Sequence, residues 1–102
     1  MNVCMFSGYL VTPVEYKFFY NKNTKQNMNI SFAKTRMCID GIKHECIDVI
    51  CLDKLADELY QKYELAQSID LCGELRTPDK LERRLYHIEK NEKYYVYIHY
   101  LH

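Results

Sequence analysis

Basic and aromatic side chains interleave along two stretches of this sequence, and they are its best candidates for chemistry with a partner. The first stretch carries Lys17, Tyr20, Lys22 and Lys25, followed by Phe32, Lys34 and Arg36. The second carries Arg76, Lys80, Arg83, Arg84, Tyr86 and Tyr94. Ammonium and guanidinium groups neutralise phosphates, and flat rings take up unpaired bases at about 1–3 kcal/mol per stack. Together they supply what a sequence-tolerant grip on a single-stranded nucleic acid needs. Tyr20 and Tyr86 neighbour cations near predicted turns and suit stacking, whereas Tyr95, Tyr97 and Tyr100 suit the core or an interface.

The formal net charge is zero, yet the charges are polarised along the chain. Residues 15 to 36 hold Lys17, Lys22, Lys25, Lys34 and Arg36 against Glu15 alone. Residues 45 to 74 reverse this, with acids from Glu45 to Glu74 against Lys54 and Lys62, and residues 76 to 93 are basic again. An ordinary solvated surface is the competing account of such a pattern.

Other chemistries have less support. Cys46 lies two positions from His44, but no third orienting group or oxyanion loop accompanies them. The neighbouring carboxylates Asp57 and Glu58 fall on the exposed side of a predicted helix, where solvation is their ordinary role. No glycine-rich phosphate loop occurs. The expected activity is therefore binding, not catalysis. Cys38, His44, Cys46 and His87 lack the paired spacing of a zinc site, so neither metal nor cofactor is expected. The five cysteines are odd in number, carry no CxxC spacing and lie mostly in apolar runs, which predicts reduced, buried thiols.

A chain of 102 residues suffices for one domain, here residues 1–102, and no stretch approaches the ~20 apolar residues of a membrane-spanning helix. The opening MNVCMFSGYL reads as a first strand and not as a signal peptide, which predicts a cytoplasmic protein. Residues 2 to 12 and EYKFFY make one long strand, bent at Gly8 and resuming after Pro13. NKNTKQ is a turn, and NMNISFAK alternates Met28, Ile30 and Phe32 with Asn29, Ser31 and Ala33. CIDVICL is a third, largely buried strand. The period then changes: DKLADELYQKYELA sets Leu55, Leu59, Tyr63 and Ala66 on one helical face, with Asp53 as N-cap. SIDLCGELR is a fourth strand, and RRLYHIE, KNEK and YYVYIHYLH form a terminal hairpin.

Three strands, a helix, then a strand and a β-ribbon is the order of the oligonucleotide-binding (OB) barrel. The residues carry the likeness further. MNVCMFSGYLVTPVEYKFF, with Gly8, Tyr9 and Leu10 followed by Pro13 and a Lys17-aromatic run, resembles the opening of bacterial single-stranded DNA-binding proteins. NISFAKTR is similar to their second strand, IDVICLDKLADEL to their third strand and its Lys54-Leu55-Ala56 helix start, and IDLCGELRT to their fourth. The resemblance implies an all-β fold: a five-stranded OB barrel with one helix between strands 3 and 4 and an extended C-terminal β-hairpin. It implies single-stranded DNA as partner, a role in replication, recombination or repair, and a homodimer or homotetramer. Lys54 joins the candidate contacts on the same ground. The chain has no tryptophan; where the family's stacking tryptophans fall it carries Cys38, Cys46 and Lys80, with Leu52 after the third strand. Stacking is thereby assigned to tyrosine and phenylalanine. In length, and in stopping at His102 without an acidic tail, the chain resembles primosomal OB proteins. The alternative function is an OB adaptor that contacts a primase, helicase or polymerase with little DNA binding of its own.

Overall fold

The computed structural model describes residues 3–20, 29–40 and 45–102, with no account of the Tyr20 and Asn29 side chains. The predicted turn at NKNTKQ and His44 lie outside these residues. The elements run β1 (Val3–Leu10), β2 (Glu15–Tyr20), β3 (Asn29–Ile39), β4 (Cys46–Leu52), α1 (Lys54–Lys62), β5 (Ser68–Arg76), α2 (Lys80–Leu85) and β6 (Tyr95–Leu101). Six strands form one sheet in the order β1-β5-β6-β4-β3-β2, and β1 also pairs with β3. The pairings thus return to β1 through β5, β6, β4 and β3, and β2 extends the sheet from β3.

The expected long first strand is two strands. Residues 11–14 leave the ladder: the Val11 amide donates to the Arg36 carbonyl, and the Thr12 side chain accepts from the Arg36 amide. Gly8 marks the point where β1, paired with β5 from Val3 to Tyr9, also meets β3. A Cβ there would lie 1.9 Å from the Cys38 carbonyl oxygen, so only glycine permits this backbone approach.

The expected terminal hairpin is also corrected, and with it the count of one helix. RRLYHIE does not form a strand; residues 80–85 are helical because TPDKLE carries a capping box. Asp79 accepts from the Glu82 amide at 2.8 Å, and Glu82 accepts from the Asp79 amide at 3.2 Å. Freed of a hairpin partner, β6 inserts between β5 and β4, antiparallel to the first and parallel to the second.

In α1, Ala56 and Leu59 are buried and Leu55 is half-buried, but Tyr63 is the C-cap and Ala66 lies exposed beyond the helix. Asp53 occupies the N-cap position without capping through its side chain. Its backbone is tied to Ser31 instead, the amide donating to the Ser31 carbonyl and the carbonyl accepting from Ser31 Oγ.

Strand alternation divides the buried side chains between two faces. Ala33, Met37, Val49, Cys51, Val96 and Ile98 share the main core with Leu10, Ile69, Leu71 and the α1 residues Ala56 and Leu59. Phe32, Ile50 and Tyr95, one position out of phase, form a second cluster on the opposite face, closed by Ile88. Of the two alternating faces read in NMNISFAK, the one that carries Ala33 turns to α1 and the one that carries Phe32 turns away from it. The cysteines also depart from expectation. Cys38 and Cys46, directly paired across β3 and β4, form a disulfide; Cys4 is exposed, Cys72 is half-buried, and Cys51 alone among the described residues is a buried thiol. Burial pushes the Cys51 thiol up to about 12.

Candidate nucleic-acid interface

The face opposite α1 is where the sequence's basic and aromatic candidates converge. Lys17 on β2, Phe32, Lys34 and Arg36 on β3, and Arg76 on β5 all project to it by alternation, together with Phe19, Ile50, Tyr95 and Tyr97. Tyr86, the C-cap of α2, reaches the same place from the connection between β5 and β6.

Rings form its floor. Phe32 packs against Phe19 at 4.9 Å and lies nearly parallel to Tyr86 at 5.5 Å, and Tyr86 meets Tyr95 edge-on. The Lys17 ammonium sits 5.0 Å from the Phe32 ring centre and the Arg76 guanidinium 4.1 Å from that of Tyr97, both within cation–π reach. Burial raises the Tyr86 hydroxyl above the ordinary tyrosine value. Burial also raises Tyr95, and its hydrogen bond to Glu82 adds to the effect. Both rings therefore remain neutral well into alkaline conditions.

The cations on this face already have partners. Lys17 Nζ donates to the Leu85 carbonyl at 3.4 Å, and Lys34 Nζ to the His87 carbonyl at 2.7 Å, with Asp48 at 3.8 Å. Arg36 binds Asp48 at 3.0 Å, Glu92 at 2.6 Å and the Cys46 carbonyl at 3.1 Å. Burial opposes the Arg36 charge, but the bonds to Glu92 and Asp48 outweigh it and hold the guanidinium ionised. Arg76 pairs with Glu74 at 2.9 Å, and His99 reaches the same carboxylate at 2.9 Å. Those two hydrogen bonds, from Arg76 first, hold Glu74 below the usual carboxylate range.

Other candidates lie elsewhere. Lys54 is exposed at the start of α1, on the opposite face. Lys80 and Arg84 are exposed on α2, and Arg83 turns its guanidinium to the Glu89 carbonyl at 2.8 Å. Tyr94 is 48% exposed at the entry to β6 and lines a cleft of about 480 Å³ with Arg36, Ile47 and Glu92. Lys22 and Lys25 fall outside the described residues, as does the Tyr20 side chain. The sequence offers no candidate contact at Phe19, Ile88, Glu82 or Glu92, and it assigns Tyr97 to the core or an interface. Alternation in KFF and YVY is the signal for Phe19 and for the side of the sheet on which Tyr97 lies; Ile88, Glu82 and Glu92 are placed by tertiary packing of the 77–94 connection. Tyr95 is buried, whereas Tyr100 is 65% exposed.

The sheet, whose pairings return to their first strand and one face of which holds covered rings among cations, has an OB-like fold. Among the solved structures that share it are two single-stranded DNA-binding proteins. The SSB domain of a Synechococcus sp. protein superposes with a TM-score of 0.68 at 17% identity, over 100% of this chain and 94% of that one. The second single-stranded DNA-binding protein (SSBb) of Mycobacterium smegmatis gives 0.66 at 13% identity, over 99% and 86%. No protein-family model matches the sequence, and no curated protein matches it.

Proposed function

We propose that this chain is a non-enzymatic single-stranded DNA-binding protein of replication, recombination or repair, built as one OB domain over residues 1–102. The observation that carries the reading is the gathering of Lys17, Phe32, Lys34, Arg36, Arg76 and Tyr86 on one sheet face of a fold shared with single-stranded DNA-binding domains. The circuit of five strands supports the barrel description. Phosphates engage the lysines and arginines and bases stack on phenylalanine and tyrosine, with Lys22, Lys25 and Tyr20 as candidate contacts from the sequence alone.

A homodimer or homotetramer belongs to the same proposal, supported by the exposed Val3 and Met5 on β1 and Tyr100 on β6. A 12.3 kDa particle in light scattering at micromolar concentration removes it. A cytoplasmic place is proposed as well. Among the described residues no helix is long and apolar enough to cross a membrane.

The test is binding of a labelled oligothymidine of about 30 nucleotides across a salt series, where each phosphate contact contributes a slope near ~0.7 in log affinity against log salt. Replacing Lys22 and Lys25 together by glutamate weakens binding and flattens that slope. If the wild-type chain and variants with an uncovered sheet face all fail to bind at low salt, the reading fails. An adaptor for a primase, helicase or polymerase then takes its place.

A further inference from the structure

The connection from β5 to β6 presents to the sheet face what an oligonucleotide would present. Tyr86 lies flat on Phe32, as a base would, with 14° between the rings. Glu92 offers a carboxylate to Arg36 where a phosphate would sit, and the Leu85 and His87 carbonyls take the Lys17 and Lys34 ammonium groups. Phe32 is left with no exposed surface.

The cover is shallow. No residue of α2 is buried, so the segment is held by Tyr86, by Ile88 at 5% exposure and by a few polar contacts. Clefts of about 480 Å³ and 420 Å³ run along its end, and the Arg36–Glu92 ion pair is a wall common to both. The Glu92 carboxylate and the Leu85 and His87 carbonyls are groups that phosphates replace at the same cations, whereas the Glu82 carboxylate is held by the Tyr95 hydroxyl.

We propose that residues 80–94 form an autoinhibitory strap that occupies the DNA-binding face, so that a single strand binds there only as the strap lifts. The inference rests on the single-strand-binding reading above. It makes the apparent affinity the intrinsic one multiplied by the fraction of molecules with the strap open.

Labelled oligothymidine is titrated into the wild-type chain, Glu92→Ala, Ile88→Ser and the control Glu89→Ala. Glu89 is an exposed acid of the same segment whose carboxylate makes no ion pair among the described residues. Glu92→Ala and Ile88→Ser each tighten binding about five- to tenfold by raising the open fraction, and Glu89→Ala, with the same charge change as Glu92→Ala, changes it less than about twofold. Amide hydrogen exchange in residues 80–94 speeds up when the oligomer binds. Where Ile88→Ser does not fold, Glu92→Ala decides. Equal affinity for Glu92→Ala and Glu89→Ala, or slower exchange across 80–94 on binding, overturns the strap and leaves the binding reading standing. Absence of binding by all four proteins overturns both.

Discussion

Phe32 was chosen from sequence as a stacking ring, yet its side chain is fully buried, and Phe32→Ala separates those two roles. The ring touches Phe19 at 4.9 Å and Tyr86 at 5.5 Å, and it shares a cluster with Ile50, Ile88 and Tyr95. Buried Phe→Ala substitutions cost about 3–5 kcal/mol, through lost transfer free energy plus the cavity left behind. Here the upper wall is the thin 86–88 segment, which can settle into the gap, so the expected loss is near the lower end, about 3 kcal/mol. At roughly 4–8 °C per kcal/mol for a domain of this size, Tm falls by about 12 °C or more.

The assay is urea unfolding followed by far-UV circular dichroism, with an unchanged m-value required for the comparison. Phe18→Ala is the internal reference: that ring is 59% exposed on the same hairpin and loses less than about 1 kcal/mol. If Phe32→Ala cost no more than Phe18→Ala, the ring would not be covered in solution, and the account of a closed sheet face would be refuted.

Two further substitutions probe the frame. Gly8→Ala forces a methyl group against the Cys38 carbonyl at 1.9 Å, a backbone atom that cannot rotate away. Opening the short β1–β3 ladder then costs about 2–4 kcal/mol, read as a lowered urea midpoint. Glu74 has a folded pKa below its ordinary value because Arg76 and His99 hydrogen-bond the carboxylate. Its contribution to stability is therefore complete above the ordinary glutamate range near 4.5 and is lost as pH falls through the lower folded value. Stability curves of wild type and Glu74→Gln diverge above that range and converge in acid.

Strand and helix order was largely legible because the periods change sharply: CIDVICL has no helical stripe, and DKLADEL has no alternation. The likeness to OB domains followed from that order. The 77–94 connection departs from the expected hairpin because KNEK reads as a turn between RRLYHIE and the tyrosine-rich YYVYIHYLH. The Asp79-Lys80-Leu81-Glu82 capping box, which decides the local structure, is only four residues long. Basic and aromatic candidates could be chosen by type, but sequence cannot show that Tyr86 lies on Phe32 or that Glu92 reaches Arg36, since 56 residues separate the latter pair. The disulfide was hidden for a related reason: Cys38 and Cys46 are neighbours only through the β3–β4 register.

The zero net charge then has a local meaning. The face that carries Arg36 and Arg76 also carries Asp48, Glu92 and Glu74, so its arginines are neutralised within the chain. Among the described residues Lys17 is held by a carbonyl dipole and by rings, with no carboxylate paired to it. An arginine that moves from a carboxylate to a phosphate exchanges one anion for another. The nucleic acid releases a counterion, while the carboxylate left behind recruits one. Such an exchange gives less than the ~0.7 slope that a free cation contributes for each phosphate on a single strand. On the proposed single-strand-binding reading, Lys17 therefore contributes more to the salt dependence on this face than Arg36 or Arg76. On the same reading Arg36, whose partner Glu92 lies in residues 80–94, sets how much of the affinity is spent in opening the face, whereas Arg76 is paired with Glu74 within β5.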